Sequence, residues 1–428
     1  MVNASSPQRI AVIGGGIAGL ATAYFLSRRH AVTLFEAADY LGGHTHTVDV
    51  TVDGRDFAVD TGFLVFNDRT YPNLIALFQE LGIPSHPSDM SFSVSLGQGR
   101  LEWAGRDLDS VFVQRRNLLS PGFWGMLSDI LRFNREAERN LRRAIEAPQS
   151  LGRLLDADGY GARFRRHYLL PMAAAIWSSP CRDILSFPAE TFLRFCLNHG
   201  LLQLRDRPQW RTVPGGARQY VEKIAASLAD VRLSTPVLRV SRVDGRVRLL
   251  AASSEETFDS VVFAAHAPQT LAMLADADDL ERKMLSAVRY QANEAVLHTD
   301  ASLLPRREAA WSAWNFLSDD DDDSRAVGVS YLLNQLQPLP VATPVAVTLN
   351  PPRAPDPAKV LGRYHYQHPL FDAAAIAAQK ALSGLQGRHG CWFAGAWTGY
   401  GFHEDGLNSA LRVARDFGLA PAWARLEK

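Results

Sequence analysis

Residues 41–47, with the sequence LGGHTHT, combine two histidines with two glycines, and these residue types support different chemistry. On an extended strand, His44 and His46 would point to the same face, as the ligands of some metal sites do. Gly42 and Gly43 would instead let the backbone pass close to a large ligand. No third metal ligand can be identified beside the two histidines. We therefore favour the close backbone approach and predict no metal site.

The segment that precedes this stretch has the pattern of a dinucleotide-binding unit. A short β-branched strand, RIAVI, is followed by a G-x-G-x-x-G motif, a helix rich in small residues and a second strand. Gly14 allows the tight turn, Gly16 admits a pyrophosphate at the helix N-terminus, and Gly19 lets helix and sheet pack closely. Glu36 lies 22 residues after Gly14, where an acid accepts ribose hydroxyls. Together these features predict dinucleotide binding.

Length and composition exclude several classes of protein. A chain of 428 residues with 47% hydrophobic residues indicates two or three domains with a sizeable core. Its 45 basic and 45 acidic residues give no net charge, so we expect no nucleic-acid partner. Cys181, Cys196 and Cys391 show neither metal-type spacing nor a disulfide framework, which fits a reducing compartment. The first residues lack a signal-peptide pattern, and glycines interrupt the apolar run from Ile10 to Leu26, so we expect a cytoplasmic protein.

Five segments share a pattern with known flavoproteins: residues 41–47, 58–67, 212–229, 231–267 and 390–414. The first is similar to the Gly-Gly-Arg-x-Thr stretch of flavin amine oxidases, with His44 at the arginine position. The others resemble, in order, the strand beside the flavin ring, a Pro-Gly-Gly segment before a helix, the ribbon that returns to the dinucleotide fold, and the closing motif. The chain thus resembles the flavin amine oxidase and phytoene desaturase superfamily.

This resemblance implies an α/β fold in which a Rossmann-type FAD-binding domain is interleaved with an α+β substrate domain of mixed sheet and helices. The FAD-binding domain would comprise residues 1–84, 206–268 and 386–428. The substrate domain would comprise residues 85–205 and 269–385. Loop-like segments near residues 82–90 and 205–216 fit these switches.

The resemblance also implies FAD as the cofactor. We predict that it is bound non-covalently, because no cysteine occupies the region upstream of the closing motif where some amine oxidases attach their flavin. In the closing motif, a helix that starts near Gly406 would aim its N–H groups at the flavin pyrimidine edge. The predicted cofactor-binding residues are Gly14, Gly16, Ile17, Ala18, Gly19, Glu36, Gly42, Gly43, His44, Thr45, Gly62, Phe63, Val237, Ala265, Gly395, Ala396, Glu404, Asp405, Gly406 and Leu407.

Two departures from the amine oxidase pattern bear on the substrate. Amine oxidases commonly place a lysine near the flavin on the strand that here reads YQANEAVLHTD, and no lysine occurs from residue 284 to 358. His403 stands where an aromatic residue of the amine-guiding cage is usual. We predict His403 as a proton donor or acceptor, with a structural histidine as the alternative. Glu294 is a second candidate base, unless it only caps a strand edge. Candidate residues of the substrate pocket, which could equally be core, are Trp177, Trp314, Tyr331 and Asn334.

Several ordered motifs, including YLLNQLQ, HPLF and GFHEDGLNSAL, resemble bacterial FAD-dependent oxidoreductases encoded beside cyclopropane-fatty-acyl-phospholipid synthases. This resemblance implies hydride transfer between flavin N5 and a lipid acyl chain that is unsaturated, methylated or cyclopropanated. One alternative is a flavin amine oxidase acting on a small amine or polyamine. Another is an FAD-bearing accessory subunit of a fatty-acyl methyltransferase, because a similar domain is fused to plant cyclopropane synthases.

Residues 107–166 are predicted to be helical and are rich in arginine. Between residues 115 and 143 there are seven arginines and three acids, so the local net charge is 7 − 3 = +4. Arg132, Arg135, Arg139 and Arg142 fall on one helical face. The helix could be a solvated surface element, or it could dock on an anionic membrane and hold the protein peripherally on the inner membrane face. The five aspartates at 319–323 favour a solvated turn over a divalent-ion site.

Overall fold

A computed structural model of the chain describes residues 6–177, 180–203, 206–252, 254–319 and 328–426. Four of the five aspartates at 319–323 lie outside these ranges, so the predicted turn is not described. The predicted α/β class, a mixed arrangement of sheets and helices, is confirmed.

The strands of the described residues are short and belong to several sheets. In chain order they are β1 Arg9–Ile13, β2 Ala31–Phe35, β3 Thr47–Val52, β4 Arg55–Asp60, β5 Phe66–Asn67, β6 His86–Pro87, β7 Phe92–Leu96, β8 Leu101–Ala104, β9 Trp210–Thr212, β10 Asp230–Arg232, β11 Val237–Val243, β12 Arg246–Ala251, β13 Glu255–Phe258, β14 Ser260–Phe263, β15 Tyr290–His298, β16 Trp314–Ser318, β17 Gly328–Leu332, β18 Ala346–Leu349, β19 Val360–Pro369 and β20 Cys391–Phe393.

The α-helices include one of 26 residues, α4, in the arginine-rich segment. In chain order they are α1 Ile17–Leu26, α2 Pro72–Leu81, α3 Leu108–Val111, α4 Pro121–Glu146, α5 Leu151–Ala157, α6 Ala162–Phe164, α7 Leu170–Trp177, α8 Cys181–Ile184, α9 Ala189–Asn198, α10 Arg218–Ala225, α11 Ala267–Met273, α12 Asp279–Ser286, α13 Leu333–Leu336, α14 Ala373–Ala381 and α15 His403–Asp416.

A parallel five-stranded sheet, in the order β10-β2-β1-β14-β20, carries the dinucleotide motif. Alternate residues of β1 point to opposite faces, so that Ile10 and Val12 join one hydrophobic cluster while Ala11 and Ile13 join another. Helices α1 and α15 pack together on the first face. Burial on both faces explains why these strands are almost continuously apolar.

A mixed seven-stranded sheet, in the order β19-β15-β18-β17-β16-β7-β8, forms the second layer. Only the pair β16–β7 is parallel among its described ladders. Its strands come from residues 92–104 and 290–369, whereas the five-stranded sheet draws on residues 9–35, 230–263 and 391–393. This alternation along the chain resembles the predicted one, and the exact domain boundaries stay predictions.

Residues 267–286 form two separate helices, α11 and α12. Asp278 accepts a hydrogen bond from the backbone N–H of Glu281, whose side chain accepts one from the N–H of Asp278. This capping box begins α12, which is therefore separate from α11. Within the described residues, no helix combines the length and the apolar character needed to span a bilayer.

Candidate functional site

The turn between β1 and α1 leaves no room for side chains. Gly14 has a φ of +106°, and a Cβ there would lie 2.9 Å from the carbonyl oxygen of Ala264. A Cβ at Gly19 would overlap the carbonyl oxygen of Gly14. Glu36, at the end of β2, accepts a hydrogen bond of 2.6 Å from the backbone N–H of Gly15. The glycines are therefore required by backbone packing, and the acid is held beside them, as the motif predicts.

The second glycine pair lies directly against the first loop. The N–H of Gly42 donates to the carbonyl of Gly15 at 2.8 Å, and a Cβ at Gly43 would lie 3.3 Å from Cα of Gly16. Gly42 has a φ of +117°, which L side chains rarely adopt. The close backbone approach predicted for residues 41–47 is thus partly a contact between this loop and the loop of Gly15 and Gly16. Both loops line the same cavity.

The closing motif brings the C-terminal segment to this cavity. After β20, Gly395 and Ala396 line the cavity, and α15 begins at His403 instead of near Gly406 as predicted. The carboxylate of Asp405 explains the earlier start, because it accepts the N–H of Phe402 at 2.9 Å and caps the first turn. A Cβ at Gly406 would lie 2.8 Å from a methyl carbon of Ile17, so this glycine serves the contact between α15 and α1.

Most of the predicted cofactor-binding residues line one cavity of about 690 Å³. Those that do are Gly14, Gly16, Ile17, Ala18, Glu36, Gly42, Gly43, His44, Gly62, Phe63, Val237, Ala265, Gly395 and Ala396. Those outside the described lining are Gly19, Thr45, Glu404, Asp405, Gly406 and Leu407. These six residues lie outside the lining, in the elements that form the cavity wall. Glu404, for example, accepts the backbone N–H groups of Asn73 and Leu74 at the start of α2.

The same cavity continues to the predicted substrate residues. Trp177, Trp314 and Tyr331 line it, and the Trp314 and Tyr331 rings meet edge to face with centroids 4.9 Å apart. Trp177 packs 4.7 Å from Phe195, which also lines the cavity. These side chains come from α7, α9, β16 and β17, so the tertiary fold places the substrate end beside the glycine loops.

His403 lies at the junction of the two ends. Its Nε2 forms hydrogen bonds with the hydroxyl of Tyr220 at 2.8 Å and with Thr45 Oγ1 at 3.2 Å, and its ring stacks on Phe63 with centroids 3.7 Å apart. Burial lowers the pKa of His403 to about 3, so the ring is neutral at physiological pH. This geometry supports a positioning role for His403 in holding Phe63 against the cavity. A catalytic role stays a prediction.

Two predicted residues lie away from the cavity lining. Glu294 points outward from β15 and forms an ion pair of 2.6 Å with Arg363 on β19, whereas its neighbour Asn293 is buried. Glu294 is therefore outside the described lining of this cavity, and its role as a base stays a prediction. Asn334 donates to the carbonyls of Val341 and Thr343 and accepts the N–H of Val345. Asn334 therefore stabilises a turn outside the described lining of this cavity, and its place in the substrate pocket stays a prediction.

The sequence-based predictions missed most of a group of histidines that line the cavity, of which His199 is buried and His44, His266 and His368 are partly buried. His266 and His368 lie near His44, with ring centroids 6.3 Å and 5.2 Å from it, and His199 stacks on Phe195. Burial lowers the pKa of His199 and of His368 to about 4, and it also lowers the pKa of His44 and of His266. These rings are therefore uncharged at neutral pH. The only sequence signal was the alternation of aromatic residues along β19, which does not say which face lines a cavity.

The chain matches the family model described as flavin containing amine oxidoreductase over residues 17–337. Carotenoid phi-ring synthase of Chlorobaculum tepidum is 35% identical over 143 residues, which cover 29% of this chain and 22% of that protein. The chain therefore matches less than a quarter of that relative's length.

Two solved structures share the fold along nearly the whole chain. One is a fatty acid isomerase from P. acnes that produces CLA, with a TM-score of 0.66, 17% identity and coverage of 97% of this chain and 99% of that one. The other is wild-type putrescine oxidase bound to putrescine, with a TM-score of 0.67, 16% identity and coverage of 96% and 98%.

Proposed function

The chain belongs to the flavin-containing amine oxidoreductase family, and we propose that it transfers a hydride between FAD and the hydrocarbon chain of a lipid. It is an FAD-dependent oxidoreductase, and its FAD is bound non-covalently. When bound, FAD supplies the hydride acceptor or donor. The protein would position the substrate beside the flavin, exclude water and provide a neutral environment.

The residues at the glycine end fit a dinucleotide. Gly14 and Gly42 line the cavity next to the N-terminus of α1, and their positive φ angles let the backbone take this close turn. The N–H groups of this helix end would hold the pyrophosphate. Glu36 would accept the ribose hydroxyls, with Val237 beside the adenine. Hydrophobic rings, among them Phe63, continue the lining toward the reacting end.

The observation that carries the proposal is the charge of the cavity. Among its described lining residues, Glu36 is the one carboxylate, no lysine or arginine is present, and the histidines are neutral at physiological pH. Glu36 belongs to the nucleotide end. An alkylammonium at the other end would lose its hydration without gaining a carboxylate partner, which costs several kcal/mol. An uncharged hydrocarbon chain avoids this penalty.

The apolar lining of the substrate end also favours a neutral substrate. It includes Met90, Ile176, Leu201 and Phe402. A hydrocarbon chain can pack against these side chains without leaving a buried polar group unpaired.

The solved structures that share this fold act on substrates of both kinds, as their names state: a fatty acid in one case and putrescine in the other. The fold therefore leaves the choice of substrate to the lining. The neutral cavity favours the lipid, and a conventional amine oxidase becomes an outcome of the test.

The test uses purified FAD-loaded protein without oxygen. Unsaturated phospholipids and free fatty acids are compared with putrescine and aromatic amines, while the flavin absorbance and the mass of the lipid products are recorded. We expect flavin bleaching, or a lipid product with a displaced double bond, with the lipids alone. Product analysis is needed because a double-bond shift returns the electrons to the chain. Bleaching with amines alone would overturn the proposal. Lipid turnover only in the presence of a fatty-acyl methyltransferase would instead support the accessory-subunit hypothesis.

A further inference from the structure

Exposed apolar side chains are concentrated in one segment of the molecule. Of the twelve large hydrophobic residues that are exposed in the described structure, half lie between residues 108 and 145. They are Leu108, Leu118, Leu119, Trp124, Leu131 and Ile145. Of the other six, Leu233, Leu238, Val243 and Leu250 lie on or beside the antiparallel β-ribbon formed by β11, β12 and β13, and Tyr40 and Leu280 lie elsewhere. Scattered apolar residues need no explanation, but a concentration of this kind marks an interaction surface.

The N-terminal end of α4 forms an apolar tip. Leu119 is 89% exposed and Leu108 is 77% exposed, which is unusual for leucines in ordered helical turns. The indole of Trp124 is half-exposed and donates its N–H to the carbonyl of Leu118 at 2.9 Å. Its ring also packs 5.2 Å from that of Phe112. The tip is therefore a built feature, held together by Trp124, and not a frayed loop.

The outer face of α4 continues this tip. At 100° per residue, Leu131 and Ile145 lie within about 60° of Trp124 around the helix axis, and so do Arg135, Arg139 and Arg142. Arg135 and Arg142 form no ion pair within the described residues, whereas Arg139 is paired with Glu136 at 2.8 Å. The opposite face, with Phe133 and other buried residues, packs into the core. Apolar side chains and arginines thus share the face that points to solvent.

We propose that this surface, formed by the six exposed apolar residues and these three arginines, docks the protein on an anionic phospholipid bilayer. We call it the docking face. Leucine and tryptophan side chains insert at the level of the headgroups, and arginines beside them bind lipid phosphates. The seven arginines and three acids between residues 115 and 143 give this region the required sign of charge.

A second copy of the chain fits the docking face less well. In a two-fold symmetric dimer the same patch meets itself, so the net positive segments would face each other across the interface. Moreover, α4 packs against α9, which contributes Phe195 to the cavity. Docking on a bilayer would therefore bring the substrate end of the cavity near a source of acyl chains. The docking face itself is independent of which substrate is turned over.

Co-sedimentation with vesicles tests this proposal without any turnover, so its result is separate from that of the activity test. The full chain is mixed with vesicles of phosphatidylcholine containing phosphatidylglycerol and with vesicles of phosphatidylcholine alone. The double variant Leu119→Ser/Trp124→Ser should reduce binding to both by at least tenfold. Arg135→Gln/Arg142→Gln should lose several-fold in binding, and only on the anionic vesicles.

The matched control is Leu238→Ser/Leu250→Ser, which removes two exposed leucines from the β-ribbon and should leave vesicle binding unchanged. Retained FAD and an unchanged melting temperature show that each variant is folded. The proposal is overturned if the wild type does not bind anionic vesicles, or if the Leu119/Trp124 variant binds as well as the wild type. A dimer in light scattering that the same variant dissociates would assign the docking face to a second copy and would also overturn it.

Discussion

The two ends of the cavity are built in different ways. At the nucleotide end, backbone meets backbone: the loops of Gly14 and Gly42 touch, and few other residue types fit. At the substrate end, side chains from distant segments meet, as when Trp177 packs on Phe195. A site made of backbone contacts is fixed by a contiguous sequence and takes one class of ligand. A site made of side chains can change its ligand while the fold stays the same.

The largest expected effect is at the nucleotide end. In Gly19→Ala, the added Cβ would overlap the carbonyl oxygen of Gly14 and press on Ala264, both parts of a packed layer. We expect FAD affinity to fall at least about 1,000-fold, equivalent to about 4 kcal/mol. The measurement is a fluorescence titration with FAD. Gly125→Ala is the control, because that glycine faces open space on α4. Wild-type FAD affinity in Gly19→Ala would show that backbone packing does not determine cofactor binding at the nucleotide end.

At the substrate end, a new charge should affect the reaction and spare the cofactor. Met90→Asp puts a carboxylate into the apolar part of the cavity. We expect kcat/KM for an acyl substrate to fall roughly 30- to 150-fold, since burying the charge costs about 2–3 kcal/mol. FAD content should not change, and Met90→Leu should behave as the wild type. Unchanged lipid turnover in Met90→Asp would show that the acyl chain lies elsewhere.

At the junction, the pKa of His403 links stability to pH. Its folded-state pKa of about 3 lies below the ordinary value of 6.5, so the unfolded chain binds more protons between these values. Stability from this group is full above pH 6.5 and is lost as the pH falls toward 3. Between pH 7 and pH 5 the loss is about 2 kcal/mol. Denaturant unfolding of His403→Gln should show a decline smaller by this amount. Equal declines in variant and wild type would contradict the buried neutral ring.

The smallest effect is expected outside the cavity. The ion pair of Glu294 with Arg363 is partly exposed to solvent, and such pairs contribute about 0–1 kcal/mol. Glu294→Gln and Arg363→Gln should therefore each leave kcat/KM within about twofold of the wild type. A tenfold loss of kcat/KM that is specific to Glu294→Gln would support this residue as the base and would place it at the substrate end.

The sequence predicted the nucleotide end well, because its determinants are local. The spacing from Gly14 to Glu36 implies a strand, a turn, a helix and a second strand, and the structure has each of them. The pair Gly42-Gly43 was likewise recognised as a close approach, although its partner is mainly the other glycine loop. Gly406 packs against Ile17, a contact that was not predicted, because a glycine motif does not say which neighbour approaches it. Its contact with the cofactor stays a prediction.

The substrate end was predicted only in part, because it depends on register and on tertiary contacts. Alternation along β15 gave two faces, and the structure turns Asn293 inward and Glu294 outward. A shift of one residue would have exchanged them. His44, His266 and His368 come from three separate segments of the chain. Burial lowers their pKa values, and the local sequence does not reveal that burial.

Binding of a matched pair of ligands tests whether the substrate end of the cavity prefers an uncharged chain. Octanamide and octylammonium have the same chain and differ in charge, and both should perturb the flavin absorbance of the FAD-loaded protein if they reach the substrate end. Because the described lining there offers no carboxylate, we predict that octanamide binds at least about tenfold more tightly at neutral pH. Equal or tighter binding of octylammonium would contradict the account of a neutral cavity for an uncharged chain.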